Sequence, residues 1–147
     1  MMSAPDLNVL IAASRSDHQQ HQPASNWLNQ AIAECVVGGT IELLPMVVAG
    51  FLRVTTNRKA FSTPTPIGDA IAFVDALLAI PGIEIPELGR EWPTLRQLCG
   101  AHSLAANDIP DAWIAAAVRT LGSHLVTFDR GFGRLLGRTE LTLLQPA

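Results

Sequence analysis

Short unbroken apolar runs alternate along this chain with longer stretches in which apolar residues recur every three or four positions. The first run, Met1 to Ile11, carries an aspartate and an asparagine two apart, Asp6 and Asn8, in otherwise apolar surroundings. Pro5 favours an extended residue before it, and no strong breaker separates the run from Ala12 and Ala13. It reads as a short strand feeding almost directly into a helix that finishes near Ser16, with Asp6 where the two meet. A carboxylate in that place is costly to desolvate unless a cation, a hydrogen bond or water compensates it.

The same two patterns continue. A polar link spans 17–23 and can itself be helical, with Pro23 suited to a first helical turn. Ala24, Trp27, Leu28, Ala31 and Ile32 then predict a helix to about Glu34, broken by Gly38-Gly39. Residues 40–44 predict a second strand, bounded by Pro45. The stripe Val47, Gly50, Phe51 and Val54 predicts a helix over 46–57, followed by a loop over 60–66. A helix from about Pro66 to Ile80 stops at Pro81-Gly82, and Ile83 to Ile85 is a short strand. Trp92, Leu95 and Leu98 mark a helix from Glu91 to about His102. A strongly apolar helix opens at 107–111 and closes at Gly122; Asp108 as its N-cap puts Asp111 at the third helical position. His124 to Phe128 is a strand with Asp129 just past it. Arg130 to Leu136 fits one or two helical turns, and Leu141 to Leu144 a last strand.

Strands alternating with helices predict an α/β fold with a mainly parallel sheet, and strands without polar alternation fit a sheet covered by helices on both faces. No internal repeat or long linker divides residues 1–147, so the expectation is a single domain. No run approaches the roughly 18 apolar residues of a membrane span, and no basic leader precedes the first strand, which makes cytoplasm the expected location. The two cysteines, Cys35 and Cys99, lack any metal-binding spacing and read as free thiols. A net charge of −3 argues against broad coating of nucleic acid, yet nine of the ten basic residues are arginine, the side chain best suited to phosphate contacts.

In open parallel sheets, ligands bind beyond the carboxyl ends of the strands. Asp6 and Asp129 stand at such ends, and Asp111 lies in the first turn of a helix that can start at the same edge. Three convergent carboxylates repel one another unless a cation neutralises them, and hard oxygen donors suit Mg²⁺ or Mn²⁺. Each acid also has a plainer reading: Asp108 and Asp111 as helix-terminal acids, Asp6 and Asp129 as hydrogen-bonded strand ends. Asn8 either caps the first helix or orients Asp6 or a water, and Thr127 is either an ordinary strand residue or a hydroxyl serving the site. His18 and His21 read as surface residues. Trp27, Trp92 and Trp113 are spaced like core or interface residues and not like a stacking platform. No Gly-rich phosphate loop, nucleophile elbow or zinc motif is present.

Residues 6–11 (DLNVLI), 108–116 (DIPDAWIAA) and 126–132 (VTFDRGF), in that order, resemble the successive motifs of PIN-domain ribonucleases. The closest likeness is to the VapC-type toxins of type II toxin–antitoxin systems, particularly the group abundant in mycobacteria, and residues 51–56 (FLRVTT) also resemble that group. The resemblance covers residues 4 to about 144. It implies a three-layer αβα sandwich with a central parallel sheet, usually a homodimer. It also implies Mg²⁺-dependent cleavage of a structured RNA such as tRNA or ribosomal RNA, arrest of translation, and inhibition by a cognate VapB antitoxin. Asp6, Asp111 and Asp129 match the family's first, third and fourth acids and so its metal ligands; Asn8 and Thr127 match the polar positions beside the first and last.

Two departures stand out. Ala49-Gly50 occupies the place of the second acid, with Glu42 a poor geometric substitute, and Gly131 replaces a further acid frequent after the last motif. The site is expected to be a thinner cage with weaker metal affinity, with Asp108 an auxiliary acid if its side chain turns inward. Arg53 and Arg130 are the candidates to hold RNA backbone, with Arg53 also explicable as a helix-end cation, while Arg58, Lys59, Arg134 and Arg138 read better as solvated surface charges. The other reading the missing acid leaves open is a catalytically weak PIN-fold module that binds RNA or antitoxin. A phosphatase-like hydrolase with Asp6 as nucleophile is disfavoured because its lysine partner is absent.

Overall fold

The computed structural model describes all 147 residues. In chain order its elements are β1 (Met2–Pro5), α1 (Leu7–Ser14), α2 (His21–Cys35), β2 (Thr40–Glu42), α3 (Pro45–Thr55), α4 (Ile67–Leu78), β3 (Ile83–Glu84), α5 (Trp92–Ala101), α6 (Asp108–Leu121), β4 (His124–Thr127), a 3-10 turn at Arg130–Arg134, and β5 (Leu141–Leu143). The five strands form one sheet in the order β3-β2-β1-β4-β5, and every neighbouring pair is parallel.

The first three strands step outward in one direction, and the chain then crosses back to lay β4 on the other side of β1. Right-handed crossovers therefore put α1–α4 on one face of the sheet and α5–α6 on the other. The side-by-side packing of α1 with α2 and α3, of α3 with α4, and of α5 with α6 follows that division. The strand order reverses between β1 and β4, the place where sheets of this kind bind ligands.

The strands are short because both faces are covered. Ala4, Ile41, Leu43, Leu125 and Val126 are buried, so few positions are left to alternate with polar residues. On one face Val47 and Phe51 of α3 enter the core, and Phe51 stacks on Phe73 of α4 with ring centroids 5.3 Å apart. On the other, Ala115, Ala116 and Ala117 are wholly buried, and side chains this small let α6 lie close against the sheet. Gly122 closes α6 in the left-handed region (φ 68°), a conformation that favours glycine, and the chain turns there into β4. No helix is long and apolar enough to cross a membrane.

Three local readings are settled or corrected. The second helix begins at His21 inside the expected polar link, where a ring nitrogen of His21 bonds the Ala12 carbonyl (2.8 Å). Asn107, not Asp108, holds the N-cap position of α6, so Asp111 falls one residue further into the helix than expected. Asp6, not Asn8, caps α1.

Candidate active site

Pro5 of β1 pairs with Val126 of β4, and the Asp6 amide continues that ladder by donating to the Val126 carbonyl at 2.8 Å. The chain then turns straight into α1, whose first free amides are satisfied locally: Asp6 Oδ1 accepts from Leu7 N at 2.7 Å. The other oxygen, Oδ2, accepts from the Thr127 hydroxyl at 2.7 Å. Both carboxylate oxygens of Asp6 are thus oriented by the fold, and the residue is only 6 % exposed.

Thr127 is the hub. Besides donating to Asp6, its hydroxyl oxygen accepts from Asn8 Nδ2 (3.2 Å) and from the backbone N–H of Asp129 (3.0 Å). Its hydroxyl therefore serves Asp6 and the Asp129 backbone, not the Asp129 carboxylate. Asn8 Oδ1 in turn accepts from Phe128 N (3.4 Å), so Asn8 ties α1 to the end of β4 and acts on Asp6 through Thr127. Asp129, exposed at the rim, caps the 3-10 turn through Oδ1, which accepts from Gly131 N at 2.8 Å. A Cβ on Gly131 would stand 3.0 Å from that same oxygen, so a side chain there would push the Asp129 carboxylate aside.

Asp111 reaches the site from the first turn of α6. Burial raises the Asp6 carboxyl above the usual carboxylate range against its two hydrogen bonds, and the negative charges of Asp111 and Asp129 raise it further. Burial likewise raises Asp111, as does Asp129, with Arg134 opposing. The negative charges of the three acids thus oppose one another's ionisation, and none of the three ion pairs of the protein involves them.

The donors fit a hard cation, being all oxygen and mutually repelling without one. No three carboxylate, histidine or cysteine side chains are drawn together into a finished metal cage.

Asp6 and Asp111 stand on a cleft of about 390 Å³ whose wall is mostly apolar, contributed by α1, α3, α5 and α6. Arg53 is the one cation in its lining; Arg130 is exposed but outside it. Gly50 also lines the cleft, and a Cβ there would touch only Leu7 at 3.4 Å, an ordinary contact. Glu42 is buried beside Cys35 on β2 and does not take the missing acid's place. Asp108 is turned to solvent and bound to Arg134 (3.0 Å), which holds its carboxyl below the usual range, so its inward role as an auxiliary acid has no support in this geometry.

Two functional-looking residues escape sequence reasoning. Trp113 lines the cleft, 41 % exposed, and the buried Glu91 meets its indole from the neighbouring helix. Nothing in the spacing of the tryptophans separates Trp113 from a core residue, and Glu91 reads as an ordinary helix-start acid.

The all-parallel sheet with Asp6 at its point of reversal is the frame of an α/β domain, and residues 4–136 match the PIN domain family, to which the chain belongs. Within it the chain is 37 % identical to Ribonuclease VapC25 of Mycobacterium tuberculosis over 130 residues, covering 88 % of this chain and 89 % of that protein. It is also 37 % identical to Ribonuclease VapC43 of the same organism over 134 residues, 90 % of this chain and 89 % of the relative. Its fold matches the solved VapBC2 complex of Rickettsia felis bound to a promoter DNA fragment, with TM-score 0.66 and 18 % identity over 99 % of this chain and 100 % of that one. VapBC-1 of nontypeable Haemophilus influenzae matches with TM-score 0.61 and 14 % identity, over 97 % and 98 %.

Proposed function

We propose that this protein is a VapC-type toxin, an endoribonuclease that hydrolyses an RNA phosphodiester with the help of a divalent cation held by Asp6, Asp111 and Asp129. The observation that carries the reading is the buried Asp6 at the β1–β4 reversal, its carboxylate oriented by the Leu7 amide and Thr127 and sharing a cleft with Asp111. Kinship at 37 % identity with proteins named ribonucleases supports the activity. The hard-oxygen donor set supports Mg²⁺, with Mn²⁺ as a substitute.

Each residue then has a defined task. Asp6 is held with one oxygen on the α1 amide and the other on Thr127, so its orientation is fixed before substrate arrives. Asn8 keeps Thr127 in place from the α1 side. Asp111 and Asp129 face Asp6 from the other elements and carry the remaining negative charge. Arg53, at the cleft, meets an RNA phosphate. A cation held by these acids would lower the pKa of a bound water and offset negative charge on the phosphate. The substrate in this reading is a structured RNA such as tRNA or rRNA, whose loss stops translation. A VapB-type antitoxin is the inhibitor, supported by the fold match to two solved VapBC structures, and a homodimer is the expected working form.

The test is RNA cleavage by the purified chain in Mg²⁺ or Mn²⁺, in EDTA, and with Asp6→Asn. Cleavage lost in EDTA and in the variant supports the reading. Cleavage unaffected by both would overturn the site. RNA binding without cleavage under every condition would favour the non-catalytic module that the glycine at position 50 leaves open.

A further inference from the structure

Glu91 occupies the N-cap position of α5 but leaves the capping role unfilled: its side chain accepts no bond from the helix it precedes. Instead Oε1 turns back to accept from Gly89 N at 2.7 Å, and Oε2 accepts from the indole nitrogen of Trp113 at 3.4 Å. Burying a carboxylate to 6 % exposure without a cation is costly, and both of its oxygens are committed to neutral N–H donors. Core packing does not account for that expense, because the tryptophan it holds is 41 % exposed. The ring meets Glu91 at its nitrogen through this long bond and lines the cleft that Asp6, Asp111 and Arg53 also line.

We propose that Trp113, locked in orientation by Glu91, is the stacking platform for one unpaired nucleobase of the substrate RNA. The inference rests on the ribonuclease reading of the same cleft and specifies what part of the RNA enters it. A nucleotide needs a flat apolar face for its base, a cation for its phosphate, and the acidic floor where the cut is made. Trp113 with Ile109 and Leu95, Arg53, and the Asp6–Asp111 pair supply these in one cleft. Its volume, about 390 Å³, lies at the small end of ligand pockets and suits a nucleotide unit. Stacking tolerates any base, since every base has a π face, so sequence preference in the target has to come from elsewhere.

Trp113 is thus assigned to base binding and Glu91 to positioning Trp113. The experiment follows the three tryptophan indole N–H signals by NMR while nucleoside 5′-monophosphates are added to the full chain in Ca²⁺. Binding is measured in parallel for Trp113→Phe, Trp113→Ala and Glu91→Gln. The inference expects the Trp113 signal to move first and most. It expects roughly five- to hundredfold weaker nucleotide binding in Trp113→Ala, in line with the usual worth of one stacked base, with phenylalanine restoring most of the loss. Glu91→Gln should broaden the Trp113 signal and raise KM for a cleaved RNA while leaving kcat nearly unchanged. A Trp113 signal that ignores nucleotides would overturn the inference, whether or not the chain cuts RNA. So would a Trp113→Ala variant that binds them normally but loses its antitoxin, since the cleft would then be a protein groove. Nucleotide binding at Trp113 by a chain that never cleaves RNA would uphold the platform and sink the catalytic reading instead.

Discussion

The hydroxyl of Thr127 donates to Asp6 Oδ2 at 2.7 Å across 121 residues of sequence, joining the ends of two adjacent strands at the bottom of the acidic site. The bond is buried and short, and it favours the charged carboxylate that burial disfavours. Removing the hydroxyl in Thr127→Val leaves Asp6, Asn8 and the Asp129 amide each short of a partner. A loss of about 1–3 kcal/mol in unfolding free energy is expected, with a marked fall in RNA cleavage. Thr127→Ser should recover most of both. Chemical denaturation and single-turnover cleavage on the three proteins check this, and equal behaviour of valine and threonine would remove Thr127 from the site.

The pH dependence has a definite sign. Asp6 and Asp111 have native pKa values raised above their unfolded ones, so the native state binds more protons in the intervening window. Their contribution to stability is complete below the unfolded value, about 3.9, and is lost as pH rises through the raised native values. Melting in EDTA should therefore show stability draining away across that window, less steeply in Asp6→Asn. Added Mg²⁺ should raise the melting temperature more at pH 7.5 than at pH 5. A metal effect of equal size at both would argue against these acids as ligands.

Gly50 permits a gain-of-site test. It lies in the interior of α3 at the cleft, where a side chain meets only an ordinary contact with Leu7. Gly50→Ala should stabilise the protein by up to about 1 kcal/mol through helix propensity alone. Gly50→Glu adds a carboxylate near Asp6. It should melt below Gly50→Ala in EDTA, because like charges are brought together, and gain more from Mg²⁺ than the wild type does. Calorimetric titration with Mg²⁺ reads the affinity directly.

Two arginines should separate cleanly. Arg119, in the last turn of α6, grips Glu140 with two bonds (2.7 and 3.0 Å) and the Leu135 carbonyl with a third, anchoring the approach to β5. The pair is partly exposed, which limits its worth to about 1 kcal/mol. Arg119→Met should lower the melting temperature and leave cleavage at 25 °C untouched. Arg53→Ala should do the reverse, weakening RNA binding and flattening its salt dependence with little change in stability.

The order of strands and helices and the parallel α/β architecture were legible in the chain, because hydrophobic period and Pro/Gly punctuation act within a few residues, and the same pattern put Asp6 and Asp129 just past strand ends. Motif order added the PIN resemblance, which kinship with the family bears out. Two kinds of feature were beyond reach. Thr127 serving Asp6, and Asp108 turned to Arg134, depend on which side chain faces which across elements far apart in sequence. Trp113 at helical spacing is indistinguishable from a core residue until α5 packs against α6 and Glu91 meets its indole. Local pattern determined that an acidic strand end would need a partner. Only tertiary packing, through the register of β1 on β4 and the approach of α6, decided which residues that partner would be.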